Sequence, residues 1–210
     1  GTGHHYYYIG VNKIWLIVGG IFSALEPLAF LAMALFAVYM YRKGEKSHPN
    51  KIALFWTIGA SIVSFVGAGL LGFAHTLPQT NIYTHGTLVT AMHGHYAFWG
   101  AYAMIVLAII SYALPNMTGR KRYNTTSGHM AFWLSNVGML GMTVAFGVAG
   151  VAQVYLERKM KLDFMDVQNE IAIHFVVLLL CATLFTTGIT LFIIEFIKYG
   201  KPTDEALVKE

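Results

Sequence analysis

The chain has 210 residues, of which 56% are hydrophobic and 11% are charged, and its formal net charge is +4. A soluble globular domain carries roughly 25% charged residues, so this composition excludes an ordinary soluble protein and predicts one that crosses the membrane several times. The single cysteine, Cys181, leaves no disulfide framework, and the positive charge fits loops sorted across a bilayer rather than a nucleic-acid partner.

The first histidines precede every apolar segment, in the run Gly1-Thr2-Gly3-His4-His5. Adjacent residues diverge by about 100° on a regular helix, so both imidazoles reach one metal only where the backbone is irregular. The glycines permit such a backbone. Paired histidines also occur in exposed loops, and this pair alone does not decide between the two uses.

Five apolar segments are each long enough to cross a bilayer as a helix, which takes roughly 20 residues. They lie near 14–41, 52–74, 87–113, 129–156 and 170–198. All should be helical, because an open strand leaves its backbone unsatisfied in lipid. The predicted fold class is all-α, a polytopic transmembrane helix bundle. Small residues at 67–72 and 138–141 indicate close helix packing, with hinges as the alternative.

Lysine and arginine are concentrated in the connections 42–51 and 114–128 and at the start of the tail. The connection 75–86 has no charged residue apart from histidine, and 157–169 is balanced. The positive-inside rule therefore places the first two connections and the C-terminus in the cytoplasm, with His4 and His5 on the outer side. Because the chain opens without an initiator Met or a signal peptide, we expect 1–210 to be the C-terminal part of one longer membrane-embedded catalytic domain, with a polar cytoplasmic tail at 201–210.

One carboxylate, Glu26, lies in the middle of the first span and is followed by Pro27. An ionisable group within a membrane span is costly and marks a functional position, such as a proton relay. The alternative is a neutral Glu bonded to a neighbouring helix. Pro27 lacks a backbone donor and predicts a kink beside the carboxyl group.

Two histidines one residue apart, His93-Gly94-His95, lie inside the third span. On a helix, positions i and i+2 point about 200° apart, so one helix can offer an imidazole to each of two centres. Gly94 leaves room for a flat macrocycle, and imidazole is a usual axial ligand of haem iron. A hydrogen-bonded contact between helices is the competing interpretation.

The remaining histidines are weaker candidates. His85, at the outer mouth of the third span, could bond a haem propionate or be an interfacial residue. His75 has the same two interpretations with less support. The others, which we expect to be solvated or interfacial, are His48, His129 and His174.

Three motifs carry a resemblance to a known family. They read Gly1-Thr-Gly-His4-His5-Tyr-Tyr-Tyr-Ile-Gly10, then Phe22-Ser-Ala-Leu-Glu26-Pro-Leu28, then Thr84-His85-Gly-Thr-Leu-Val-Thr-Ala-Met-His93-Gly-His95. In this order they resemble the large subunit of bacterial nitric oxide reductases, a branch of the haem–copper oxidase superfamily. The similarity covers essentially the whole chain and is greatest to the cytochrome-c-dependent type.

The resemblance implies a ligand set within a twelve-helix haem–copper oxidase-like fold. His93 would be the axial ligand of a high-spin haem b3, and His95 would bind a low-spin haem b on the other side of the helix. His4 and His5 would be two ligands of a non-haem iron that faces the high-spin haem. Glu26 would be the buried acid near this centre.

The resemblance also implies the reaction and its setting. Two NO molecules would be joined to N2O and water, with two electrons and two protons. The electrons would come from a periplasmic cytochrome c through a small haem-c subunit. The protein would lie in the bacterial inner (cytoplasmic) membrane, with its active site toward the periplasm.

Several alternatives stay open from the sequence. In the family, another low-spin haem ligand and two iron ligands, a His and a Glu, come from helices absent from these 210 residues, so we expect the segment alone to be inactive. An oxygen-reducing haem–copper oxidase would use copper in place of the non-haem iron. A quinol-dependent NO reductase differs in its N-terminal part. A di-haem electron carrier would not need His4 and His5, and a transporter would have no haem.

Overall fold

The computed structural model describes residues 3–44, 50–119 and 125–198, and every regular element in these ranges is a helix. The α-helices are α1 (Lys13–Ala24), α2 (Glu26–Lys43), α3 (Lys51–Ser64), α4 (Gly72–Thr76), α5 (Pro78–Thr84), α6 (Leu88–Phe98), α7 (Met104–Thr118), α8 (Thr125–Val154) and α9 (Phe164–Lys198). π-Helical segments cover Phe65–Leu71, Trp99–Ala103 and Tyr155–Lys159, and a 3-10 turn covers Gly3–Tyr6.

These helices form five segments long and apolar enough to cross a membrane, as the sequence predicts. They are Lys13–Lys43, Lys51–Thr76, Leu88–Met117, Thr126–Lys159 and Phe164–Ile197. The predicted all-α membrane-bundle class is confirmed. The last helix starts several residues before the predicted 170, and Asp166 in its first turn suits the positive end of the helix dipole.

The first span is broken at Leu25, where α1 ends and α2 begins. Pro27 lies in the first turn of α2, where its missing N–H leaves no helical hydrogen bond unmade. The predicted kink is therefore a break just before Glu26. This break puts the Glu26 carboxyl group at the start of a helix in the interior of the span.

An aromatic core joins the second, third, fourth and fifth spans. Trp56 is fully buried, and its ring makes edge contacts with the rings of Trp99, Phe132 and Phe192 at centroid distances of 6.1, 5.1 and 5.8 Å. Trp56 lies near the start of the second span, so this core occupies the end of the span opposite to His75. His75 lies at the other end, together with the rings of His4, His5 and His93.

Small residues let these helices approach closely. A Cβ on Gly67 would come within 2.7 Å of the backbone of Tyr96 and Ala97, and one on Gly138 would overlap the backbone of Phe185. Both positions thus support the packing interpretation of the glycine pairs.

Some predictions concern residues outside the described ranges. These are the loop charges Lys46, Arg120, Lys121 and Arg122, the histidine His48, and the tail 201–210. The membrane orientation therefore stays a prediction.

Candidate metal centre

Three histidines from two distant parts of the chain converge. His4, His5 and His93 each offer a ring nitrogen, and these atoms lie within 4.8 Å of one another. The 3-10 turn at Gly3–Tyr6 supplies the irregular backbone that adjacent histidines require, and the His4 and His5 ring centroids are 4.1 Å apart. Two nitrogens on one ion at about 2.1 Å each are at most about 4.2 Å apart, so small ring movements would bring all three to one ion.

The electrostatics of His4 favour a metal ligand. Its side chain is 3% exposed, and neither ring nitrogen has a hydrogen-bond partner among the described residues. Burial, with a further contribution from neighbouring His5, lowers the pKa of His4 to about 3. The ring is therefore neutral at pH 7, which is the state that binds metals. Unpaired buried nitrogens are costly, and coordination would satisfy them.

His93 is oriented by the second span. Its Nδ1 is 2.9 Å from the carbonyl oxygen of Gly67, in the π-helical segment Phe65–Leu71. A neutral imidazole that donates from Nδ1 carries its lone pair on Nε2, so this hydrogen bond prepares Nε2 as a ligand. Bonds of this kind fix the tautomer and ring orientation of metal-binding histidines.

Glu26 and His93 both lie beside Gly72. A Cβ placed on Gly72 would lie 3.2 Å from Cε1 of His93 and 4.0 Å from Oε2 of Glu26. The carboxyl group and the imidazole therefore both lie near the side-chain-free face of Gly72. The acid that the sequence singles out lies beside the histidine cluster.

His95 lies on a different side of the helix, as its spacing from His93 predicts. Its ring is exposed, and its Nδ1 is 2.8 Å from the carbonyl oxygen of Ala91. It opens on an apolar cavity of about 510 Å³ whose lining includes Gly94, Phe98 and Met139. A Cβ on Gly94 would meet no atom within 4 Å. An exposed imidazole, an apolar cavity and an open glycine face fit an axial ligand of a flat macrocycle.

The remaining histidines, which are weaker candidates, have different surroundings. His85 lies outside the three-histidine cluster, with its ring 4.3 Å from that of Tyr8. His129 contacts Phe55 in the aromatic core, and the Nδ1 of His174 is 3.2 Å from the carbonyl oxygen of Ile171 in its own helix. His75, by contrast, is 4% exposed and its ring stacks on His93 at 4.9 Å.

Sequence reasoning underrated His75. One signal was present: it ends the second span on the side of the bundle predicted to hold His4 and His5. The buried Glu195 in α9, 7% exposed, was not singled out at all, although it is a carboxylate in a membrane span.

The fold and the histidine centre define a helical membrane protein of the haem–copper oxidase type. Residues 1–184 match the family model described as cytochrome c and quinol oxidase polypeptide I, and the chain belongs to this family. It is also 42% identical over 209 residues to a nitric oxide reductase subunit of Stutzerimonas stutzeri. That alignment covers 96% of this chain and 44% of the relative, so the chain spans less than half of the relative's length. The predicted resemblance is confirmed.

Proposed function

We propose that the chain is part of the catalytic subunit of a cytochrome-c-dependent nitric oxide reductase, which converts two NO to N2O and water with two electrons and two protons. The observation that carries the proposal is the convergence of His4, His5, His93 and Glu26 in a chain 42% identical to a nitric oxide reductase subunit. The activity belongs to the whole protein. These residues would supply part of the ligand set of its metal centre.

The residues divide between three cofactors in this proposal. His93 binds the iron of haem b3, His95 binds the iron of haem b in the apolar cavity, and His4 and His5 bind the non-haem iron. This division requires the His93 nitrogen to lie farther from the other two than the present 4.8 Å. His85 is proposed to bond a haem propionate.

When bound, the haem and non-haem irons would supply electrons and binding positions for NO. The protein positions the reacting groups and supplies protons. Imidazoles fixed by neighbouring elements set the positions at which two nitrogens can meet, and such positioning accounts for a large part of many rate enhancements. Glu26, within the membrane span and beside the cluster, supplies or relays the protons that the oxygen of the product water needs.

The partners and orientation follow from the same proposal. A small haem-c subunit passes electrons from a periplasmic cytochrome c. The protein lies in the bacterial inner membrane with His4 and His5 near the periplasmic face and the C-terminus in the cytoplasm, since the positive-inside rule assigns the lysine- and arginine-rich connections to the cytoplasm.

A second candidate is an oxygen-reducing haem–copper oxidase. It is favoured by the description of the matching family model, which names cytochrome c and quinol oxidases. The same histidines would then hold copper in place of the non-haem iron. Glu26 in the first span, where the sequence resembles nitric oxide reductases, supports NO reduction over this alternative.

The test is the metal and haem content of the complete membrane protein, by elemental analysis and pyridine haemochrome. Two b-type haems, one further iron and no copper are expected. Two haems with one copper would identify an oxygen reductase. Two haems without a third metal would leave an electron carrier and remove the role of His4 and His5. The variant in which His4 and His5 are both Ala is the control, and it should lose the third metal alone.

A further inference from the structure

His75 is a buried histidine that the proposed function does not use. It lies in α4 at the end of the second span and is 4% exposed. Its ring centroid is 4.9 Å from that of His93, with the two planes inclined by 24°. Among the described residues, this is the closest ring contact that His93 makes. His4 and His5 lie farther away, at centroid distances of 5.9 and 6.1 Å.

The plane of the His75 ring is fixed by its own helix. Nδ1 is 2.9 Å from the carbonyl oxygen of Leu71, one turn earlier, and it donates the hydrogen bond in the neutral tautomer. Nε2 is buried and has no hydrogen-bond partner among the described residues. An unsatisfied buried nitrogen is costly, so packing alone does not explain a histidine here. The bond to Leu71 gives a reason, because a purely apolar side chain could not be anchored in this way.

The same face of the second span touches His93 at three points. Gly67 provides the carbonyl that bonds Nδ1, Gly72 leaves the space that Cε1 enters, and His75 provides the stacked ring. Gly67 and Gly72 are five residues apart, which is the hydrogen-bonding period of the π-helix between them. Gly72 and His75 are three apart on the α-helical part, so they also share a face.

We propose that His75 is a positioning residue for His93: its anchored ring, stacked on the His93 ring, sets the orientation in which that imidazole meets its iron. The inference rests on the proposed role of His93 as a haem ligand. His75 itself binds no iron in this scheme. The stacked ring restricts rotation of His93 about the axis that the bond to Gly67 leaves free.

The test uses the complete haem-loaded protein, with the iron–histidine stretching band of the reduced high-spin haem measured by resonance Raman spectroscopy. His75→Leu removes the stacked ring and should shift and broaden the band at unchanged haem content. His75→Phe keeps a ring face without the bond to Leu71, and its band should lie between the native band and that of His75→Leu. If His75→Leu does not assemble with haem, His75→Gln carries the same expectation, because it also lacks a ring.

His174→Leu is the matched control. His174 also bonds a carbonyl of its own helix, at 3.2 Å, but it makes no ring contact with His93 in the described part of the chain. This variant should have the native band. A native band in His75→Leu would overturn the proposal. So would the same shift and broadening in His174→Leu, since the effect would then not depend on a ring stacked on His93.

His93→Ala separates this inference from the proposed function. Loss of the band in His93→Ala shows that His93 is the ligand whose orientation is measured. A band that persists there would overturn the ligand role of His93, and with it the foundation of the inference, whatever the His75 variants show.

Discussion

His93 and His95 are two residues apart, yet their surroundings differ completely. His93 is buried against the second span and bonded to Gly67, whereas His95 is exposed and opens on an apolar cavity. The difference follows from helix geometry, because positions i and i+2 cannot face the same neighbour. Each histidine can therefore be tested separately.

Replacing His95 by Ala in the complete protein should remove the low-spin haem signal and leave the non-haem metal in place, because His4 and His5 approach α6 at His93. Optical spectra and metal analysis measure both quantities. His129→Ala, in the aromatic core, is the control and should keep both signals. A surviving low-spin spectrum in His95→Ala would mean that the cavity beside Gly94 does not hold this haem.

Replacing Glu26 by Ala should lower NO turnover by about 100-fold or more, the usual size of a lost proton-transfer group. Both haems should remain, because the carboxyl group of Glu26 lies beside the histidine cluster and is not one of its ligands. NO consumption at a gas electrode and the haem spectrum check the two statements. Near-normal turnover would reduce Glu26 to a packing residue at the start of α2.

The pKa of His4, about 3 against an ordinary 6.5, predicts a pH dependence of stability. The folded protein keeps this imidazole neutral, whereas the unfolded chain takes up a proton below pH 6.5. The contribution of neutral His4 to the free energy of unfolding is therefore complete above pH 6.5. It is lost as the pH falls toward 3, by up to about 1.4 kcal/mol per pH unit. A bound metal acts with the same sign, because it also requires the neutral ring.

Thermal unfolding in detergent at pH 7.5 and pH 5 measures this effect. The native protein should have a lower Tm at pH 5, and His4→Gln should show a smaller decrease between the two pH values. An equal decrease in both proteins would place the acid sensitivity elsewhere.

How closely two helices can pack depends on which atoms lie opposite a glycine, and α8 contains two contrasting glycines. A Cβ on Gly138 would overlap the backbone of Phe185 in α9, whereas one on Gly141 would lie 2.5 Å from Sγ of Cys181. A backbone atom moves only if the helices separate, but a side-chain atom can rotate away. The two positions therefore differ in cost although they lie on one helix face.

Gly138→Ala should destabilise the protein by about 1–3 kcal/mol, the range for overpacked sites, and Gly141→Ala should cost less. Thermal unfolding of the two variants in the same detergent gives the comparison. Equal losses of stability would mean that the contact between α8 and α9 adapts as a whole.

Elements that depend on local pattern could be predicted from the sequence, whereas those that depend on packing could not. Continuous apolar runs predicted all five spans, and helical periodicity predicted the divergence of His93 and His95. The short α5 was not predicted, although Pro78 in its first turn is a local start signal. The π-helical segment at Phe65–Leu71 was not predicted, because Gly67 packs against the backbone of another span and no local pattern reveals that contact. His75 was underrated for the same reason: its partner His93 is 18 residues away in sequence and on another helix.

Across the whole molecule, burial is uneven. In the most apolar part of the first span only 6% of the residues are buried, and in that of the last span 11% are buried. The buried share is 44% in the second and fourth spans. Exposed apolar faces carry no penalty in lipid, so the outer spans can remain stable with few contacts. The histidine centre nevertheless draws on the sparsely buried first span, through Glu26, and on the turn that precedes it.

The separation of the ligands along the chain has a consequence for biogenesis. His5 and His93 are 88 residues apart, at positions 5 and 93, and two complete spans lie between them. At a synthesis rate of about 5–20 residues per second, roughly 4 to 18 s pass between the emergence of the two ligands. During that interval His4 and His5 exist without His93. The three-histidine cluster is therefore complete only after the third span has been translated, and a chain stalled before that point would present His4 and His5 alone.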